Sequence, residues 1–131
     1  MTQESKQLLL KDLCARIPYH TFVQLNPGAY NKPETCLLTG VHGEKIHLNV
    51  DSDPFRIDHI KSYLRPMSSM TEEEYIHYCE TREWKYVDDD HYEYFDTLKT
   101  FDWLLEHHFD FRGLIPMDLA LEAPANMYKT E

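Results

Sequence analysis

A chain of 131 residues with 42% hydrophobic and 27% charged residues is typical of one soluble globular domain. Its net charge of −10 makes direct binding of DNA or RNA unfavourable, because nonspecific affinity for nucleic acids comes from neutralising phosphates. No apolar run approaches the roughly 20 residues that a membrane-spanning helix needs. The first residues lack a signal-peptide pattern, which favours a cytoplasmic protein, and the composition fixes no oligomeric state.

Sequence motifs for cofactors and catalysis are missing. The three cysteines form no CxxC pair, so neither a disulfide framework nor a structural zinc site is indicated. The four glycines form neither GxGxxG nor GxxxxGK[ST], the loops that cradle phosphates. We therefore expect no cofactor, and a non-enzymatic role is favoured over an enzymatic one.

The negative charge lies almost entirely in the second half of the chain. Residues 67–131 contain five basic and sixteen acidic residues, a net charge of −11, whereas residues 1–66 carry +1. The same second half holds twelve of the seventeen aromatic residues. Acidic segments with little apolar surface stay disordered, but this aromatic content predicts that the segment folds and presents a negative face.

The first half predicts a helix followed by a small sheet. A helix is predicted over Ser5–Arg16, and Pro18 ends it. Its apolar side would comprise Leu9, Leu10, Leu13, Cys14 and Ile17. Period-two segments then predict three or four antiparallel strands, for which an SH3-like barrel is one arrangement. These segments are Thr21–Leu25, Thr35–Val41, Lys45–Val50 and a short strand or helical turn near Phe55–Tyr63. Thr35–Val41 and Lys45–Val50 are predicted to form a hairpin about His42–Glu44, and turns are predicted at Asn26–Gly28 and Asp51–Pro54.

The second half is predicted to be mainly helical, which gives an α+β fold overall. Thr71 and Glu74 form a capping-box pattern, so a helix is expected to run to about Arg82 and to bury Ile76 and Cys79. A second helix is predicted after Asp96 or Thr97, with a further helical turn at Met117–Leu121 and a loose end from Ala125. Its apolar side would comprise Leu98, Phe101, Leu105 and Phe109.

The segment Trp84–Phe95 is predicted as a β-hairpin with an acidic loop, an irregular aromatic connection being the alternative. Tyr and Trp anchor protein interfaces, and charge steers partners together. We therefore predict that this segment binds another protein that has a basic surface, and in one variant imitates nucleic acid. The predicted contact residues are Trp84, Tyr86, Asp88, Asp89, Asp90, Tyr92, Glu93 and Tyr94.

A rival hypothesis is a small metal-dependent hydrolase or nuclease. His107 or His108 would bind the metal together with Asp110 and the acidic loop at residues 88–90. The adjacent histidines cannot easily both face one ion, because neighbouring residues on a helix point about 100° apart, whereas His108 with Asp110 is geometrically possible. The loop also lacks the spaced ligands and central glycine of a calcium-binding loop.

Three segments carry a resemblance: Leu64–Glu74 (LRPMSSMTEEE), His107–Ile115 (HHFDFRGLI) and Leu119–Pro124 (LALEAP). Together they resemble a group of small proteins associated with prophages and mobile elements of gut bacteria, for which no activity is established. The resemblance covers the second half of the chain only. It implies a mobile-element origin and a cytoplasmic setting, and it implies no catalytic residues.

Overall fold

The computed structural model describes residues 1–26, 33–50 and 54–128. The predicted turns at residues 26–28 and 51–54 therefore fall largely outside the described residues. The α-helices are α1 (Gln3–Arg16), α2 (Glu72–Glu80) and α3 (Leu98–Glu106). The strands are β1 (Phe22–Leu25), β2 (Glu34–His42), β3 (Lys45–Leu48), β4 (Phe55–Arg56), β5 (Ile60–Leu64), β6 (Glu83–Asp88), β7 (His91–Phe95) and β8 (Ala120–Glu122).

Six strands form one mixed sheet in the order β4-β3-β2-β1-β5-β8. The first five pair antiparallel, and β8 adds to β5 in parallel, with Ser62 opposite Ala120. The strands of the first half pair antiparallel as predicted, but there are five where three or four were expected, and β8 from the second half makes the whole sheet mixed. The SH3-like arrangement stays a prediction.

The prediction of a mainly helical second half is also wrong. Between residues 67 and 128 the described chain contains two nine-residue α-helices and three strands. Two of these strands form a separate two-stranded hairpin. The third strand, β8, overlaps the end of the helical turn that was expected at residues 117–121. Its backbone hydrogen-bonding groups pair with those of β5. No helix of the described ranges is long and apolar enough to cross a membrane.

Helix α1 packs on the sheet through only part of its predicted apolar side. Leu9 and Leu13 are fully buried in a core that contains Val23, Ile46 and Leu64. Cys14, which was expected on the same side, is exposed. The remaining buried positions of the helix are Asp12 and Arg16, both with no exposed surface.

These two charged residues form a buried ionic network that joins the N-terminal helix to the C-terminal segment. The Arg16 guanidinium donates to both carboxylate oxygens of Asp12, at 2.7 and 3.1 Å, and to the Phe109 carbonyl at 2.8 Å. Arg112 donates from Nε to the same Asp12 carboxylate at 3.0 Å. Asp110 accepts the amides of Leu114 and Ile115.

The segment Ala125–Tyr128, predicted to be loose, is anchored by its tyrosine. The Tyr128 hydroxyl accepts the Phe22 amide at 2.8 Å and donates to the Tyr63 carbonyl at 2.8 Å. Burial raises the pKa of this hydroxyl. The C-terminal segment is thereby fixed across strands β1 and β5.

Arg65, directly after β5, joins the sheet to helix α2 and to the segment after α3. Its amide donates to the His108 carbonyl and its carbonyl accepts from the Asp110 amide, each at 2.8 Å. Its guanidinium makes two 2.7 Å bonds to the Glu74 carboxylate and lies 4.3 Å from the centre of the Phe109 ring. Glu74 also completes the predicted capping box with Thr71, which is confirmed. This bidentate ion pair therefore ties the first turn of α2 to the end of β5.

Replacing Asp12 by alanine leaves two cationic side chains without their buried partner. We expect Asp12→Ala to lower the free energy of unfolding by about 3–5 kcal/mol, the usual cost of breaking a buried pair. Urea unfolding of the two proteins measures the difference. Asp58→Ala, which removes the exposed ion pair with Arg56, is the matched control and should change stability by no more than about 1 kcal/mol. An equally small effect of Asp12→Ala would contradict this description.

The ion pair of Glu74 predicts a loss of stability at low pH. Hydrogen bonds from Arg65 lower the pKa of the Glu74 carboxyl from 4.5 to about 2. A lowered pKa gives stability that is present above about pH 4.5 and is lost as the pH falls through about 2. We expect Glu74→Gln to cost about 3 kcal/mol at pH 7, since each pKa unit corresponds to about 1.4 kcal/mol. Urea unfolding of both proteins between pH 7 and 2 should show the difference shrinking. A difference that is independent of pH would refute it.

Candidate functional site

The β6–β7 hairpin (residues 83–95) projects an aromatic surface into solvent. Every residue of both strands is exposed. Trp84 lies opposite Tyr94 and Tyr86 opposite Tyr92, and these four side chains form what we name the aromatic face. Ring centres within it lie 4.4 Å apart for Trp84 and Tyr94 and 5.3 Å apart for Tyr86 and Tyr92. The predicted hairpin is confirmed, and its aromatic rings pack mainly on one another.

The turn of the hairpin is acidic. Asp88, Asp89 and Asp90 lie at its tip, and Glu93 follows on β7 opposite Lys85. Residues 83–95 contain five acidic residues and one basic residue. The eight residues predicted to contact a partner therefore lie together on one exposed hairpin.

Helix α2 extends this surface through residues that the sequence analysis expected to be buried. Ile76 is 57% exposed and Tyr75 58% exposed, while Cys79 is only half-buried. The prediction of a buried Ile76 is wrong, because Glu74 occupies the inward position where it meets Arg65. A signal was present in the sequence. Positions 75, 76, 78 and 79 cover an arc of about 160° around the helix, which is wider than the stripe of about 100° that typically faces a core.

Two open hollows lie on either side of Tyr75 and Ile76, and we name them together the α2 groove. The larger, of about 790 Å³, is lined by Met67, Met70, Glu72 and Tyr78 in addition to those two residues. The smaller, of about 470 Å³, reaches Glu80, Arg82, Trp84 and Tyr94 at the base of the hairpin. The aromatic face and the α2 groove are thus continuous.

The base of the hairpin is fixed by hydrogen bonds between α2 and α3. The Thr81 carbonyl, just after α2, accepts both the Thr97 hydroxyl at 2.8 Å and the Thr100 hydroxyl at 2.9 Å. Arg82 pairs with Asp96 at 2.9 Å across the same point. Both ends of the hairpin are therefore held, while its strands extend beyond the body.

The alternative metal ligands do not converge. The His107 ring bonds the Trp103 carbonyl and stacks on its indole, 4.3 Å away. Both Asp110 carboxylate oxygens accept backbone amides. His108 stacks on the Tyr128 ring at 3.7 Å. Within residues 1–26, 33–50 and 54–128, no group of three His, Cys, Asp or Glu side chains could hold a metal ion.

Burial also changes the chemistry of His108. Desolvation, together with the positive charge of Arg16, lowers the pKa of its imidazole from 6.5 to about 4. The imidazole ring is therefore neutral at pH 7. In the fold it makes a stacking contact with Tyr128, in the segment at residues 125–128.

No protein-family model matches the chain, and comparison with curated proteins and with solved structures found no similar protein.

The buried imidazole predicts a second pH dependence of stability. The unfolded chain takes up a proton below about pH 6.5, whereas folded His108 resists protonation until about pH 4. Because of this residue, the free energy of unfolding should fall by about 2 kcal/mol between pH 7 and 5, since each pKa unit corresponds to about 1.4 kcal/mol. His108→Asn, which tolerates the left-handed backbone at φ 65°, should lose this part of the slope in urea unfolding.

The exposed His42 gives the control, because His42→Asn should leave the slope unchanged. An NMR titration that finds the His108 imidazole ionising near pH 6.5 would contradict the buried, neutral ring.

Proposed function

We propose that this protein is a non-enzymatic interaction module that acts in the cytoplasm and binds another protein through the hairpin at residues 83–95. The observation that carries the proposal is the aromatic face. Trp84, Tyr86, Tyr92 and Tyr94 are 43–60% exposed on a hairpin whose residues are all exposed. Tyr and Trp are the residue types that most often dominate binding energy at interfaces.

The fold does not require these rings for its core. The buried cluster comes from α1, the six-stranded sheet and the segment Leu114–Ala120. An isolated two-stranded hairpin is only marginally stable in water, and its cross-strand aromatic pairs contribute about 0.5–1.5 kcal/mol each. A contiguous exposed aromatic surface of this kind is typical of a binding site.

Charge indicates which partner suits the hairpin. The acidic turn would repel a second copy of the same surface and attract a basic one, which also speeds encounter. The partner we propose is therefore a protein with a basic surface. The resemblance to mobile-element proteins suits one variant, in which the acidic hairpin imitates nucleic acid and occupies the basic groove of a host protein.

Substitution of the aromatic face should weaken binding of the partner protein while the protein stays folded. We expect the double variant Trp84→Thr, Tyr92→Thr to capture at least about 10-fold less partner protein from a lysate of the cells in which the protein naturally occurs, since two interface anchors are lost. Neutralising Asp88, Asp89, Asp90 and Glu93 should instead lower the salt concentration at which the partner elutes. Captured proteins are quantified by mass spectrometry over a salt gradient.

A matched control changes the same charge elsewhere on the fold. Four exposed acidic residues outside the hairpin are replaced by glutamine: Glu34, Glu44, Glu106 and Glu122. This control should retain both capture and elution position. Capture that survives Trp84→Thr with Tyr92→Thr, or that the control weakens equally, would overturn the hairpin as the binding site.

A further inference from the structure

We propose that the α2 groove receives a basic amphipathic helix of the partner, with apolar side chains in the two hollows and Lys or Arg side chains against the acidic rim. This inference rests on the proposed function, because it assigns the part of the partner that lies beside the hairpin. It adds a second contact, on α2, to the aromatic face of the hairpin.

The lining of the groove suits apolar anchor side chains. Tyr75 and Ile76 separate the two hollows and are more than half exposed, so neither residue is covered by the protein itself. Met67 and Met70 line the larger hollow, and methionine adapts its shape to different apolar groups. The hollows are open rather than enclosed, whereas small-molecule sites usually bury most of their ligand. A protein segment lying along the surface fits better.

The backbone of the groove favours a helix over an added strand. The groove runs beside α2, whose amides and carbonyls already bond within the helix. An extended peptide gains its affinity from main-chain hydrogen bonds to a free strand edge, which α2 cannot offer. A helix needs only side-chain contacts. The nine residues of α2 span about 13.5 Å, at about 1.5 Å per residue, which matches two to three turns of a partner helix.

The rim of the groove requires positive charge on that helix. Glu72 lines one hollow and Glu80 the other, and Glu73 is exposed beside them. A second copy of this chain would bring the same carboxylates together, so self-association is disfavoured. Arg82 is already paired with Asp96, which leaves the rim predominantly negative.

Selection from a random peptide library tests the inference without knowledge of the natural partner. A library of 16-residue peptides is displayed on phage and selected against the full-length protein. We expect enriched peptides with apolar residues at i, i+3, i+4 and i+7 and with Lys or Arg between them. Their binding should fall at least 10-fold for Ile76→Gln and should persist for Leu98→Gln, which removes an 85% exposed leucine from another helix.

Each other outcome overturns the α2 groove as a helix site. Enriched peptides with period-two alternation would indicate strand addition at the hairpin, and acidic or uncharged peptides would contradict the role of the rim. Peptides insensitive to Ile76→Gln, or no enrichment, would also refute the inference. Because Trp84 also lines the smaller hollow, the hairpin is tested separately by loss of lysate capture in Tyr86→Thr with Tyr92→Thr, two residues that line neither hollow, so either proposal can fail while the other stands.

Discussion

The position of the exposed surface depends on the ion pair between Arg65 and Glu74. Arg65 is bonded through its backbone to residues 108 and 110 and through its guanidinium to the first turn of α2. The pair is mostly shielded from water, at 15% and 10% side-chain exposure, so salt screens it weakly. Because Glu74 points inward to make this contact, Tyr75 and Ile76 on the same helix point outward. The ion pair thereby orients the first turn of the helix and turns these two apolar residues towards solvent.

A division of labour follows from this arrangement. The ionic network of Asp12, Arg16 and Arg112 ties the first helix to the C-terminal segment and closes the body of the protein. The hairpin contributes nothing to that core, and its base is held by the Thr81 carbonyl and the Arg82–Asp96 pair. Its sequence is thus freed from packing constraints, yet it carries four large aromatic residues. Cross-strand packing of these rings stabilises the hairpin itself, and binding gives a physical reason for their exposure.

Local patterns in the sequence predicted the elements whose causes are local. The Thr71 capping box, the β2–β3 hairpin and the β6–β7 hairpin follow from neighbouring residues, and the structure contains all three. Features that depend on distant residues escaped prediction. Arg112 meets Asp12 from 100 positions away, and β8 is a three-residue strand defined only by its partner. Ile76 was placed in the core because an apolar residue on a helix does not reveal what covers it, and its exposure is what outlines the α2 groove.

Photocrosslinking inside the host cell tests the central claim, that this surface meets a partner, most directly. A benzophenone amino acid is placed at Tyr92 on the hairpin, at Ile76 in the α2 groove, or at Leu98 as an exposed control. We expect irradiation to crosslink the benzophenone at position 92 and that at position 76 to one and the same protein, and the benzophenone at position 98 to yield no such adduct. No adduct at Tyr92, an adduct with a second copy of this chain, or an equal yield at Leu98 would contradict it.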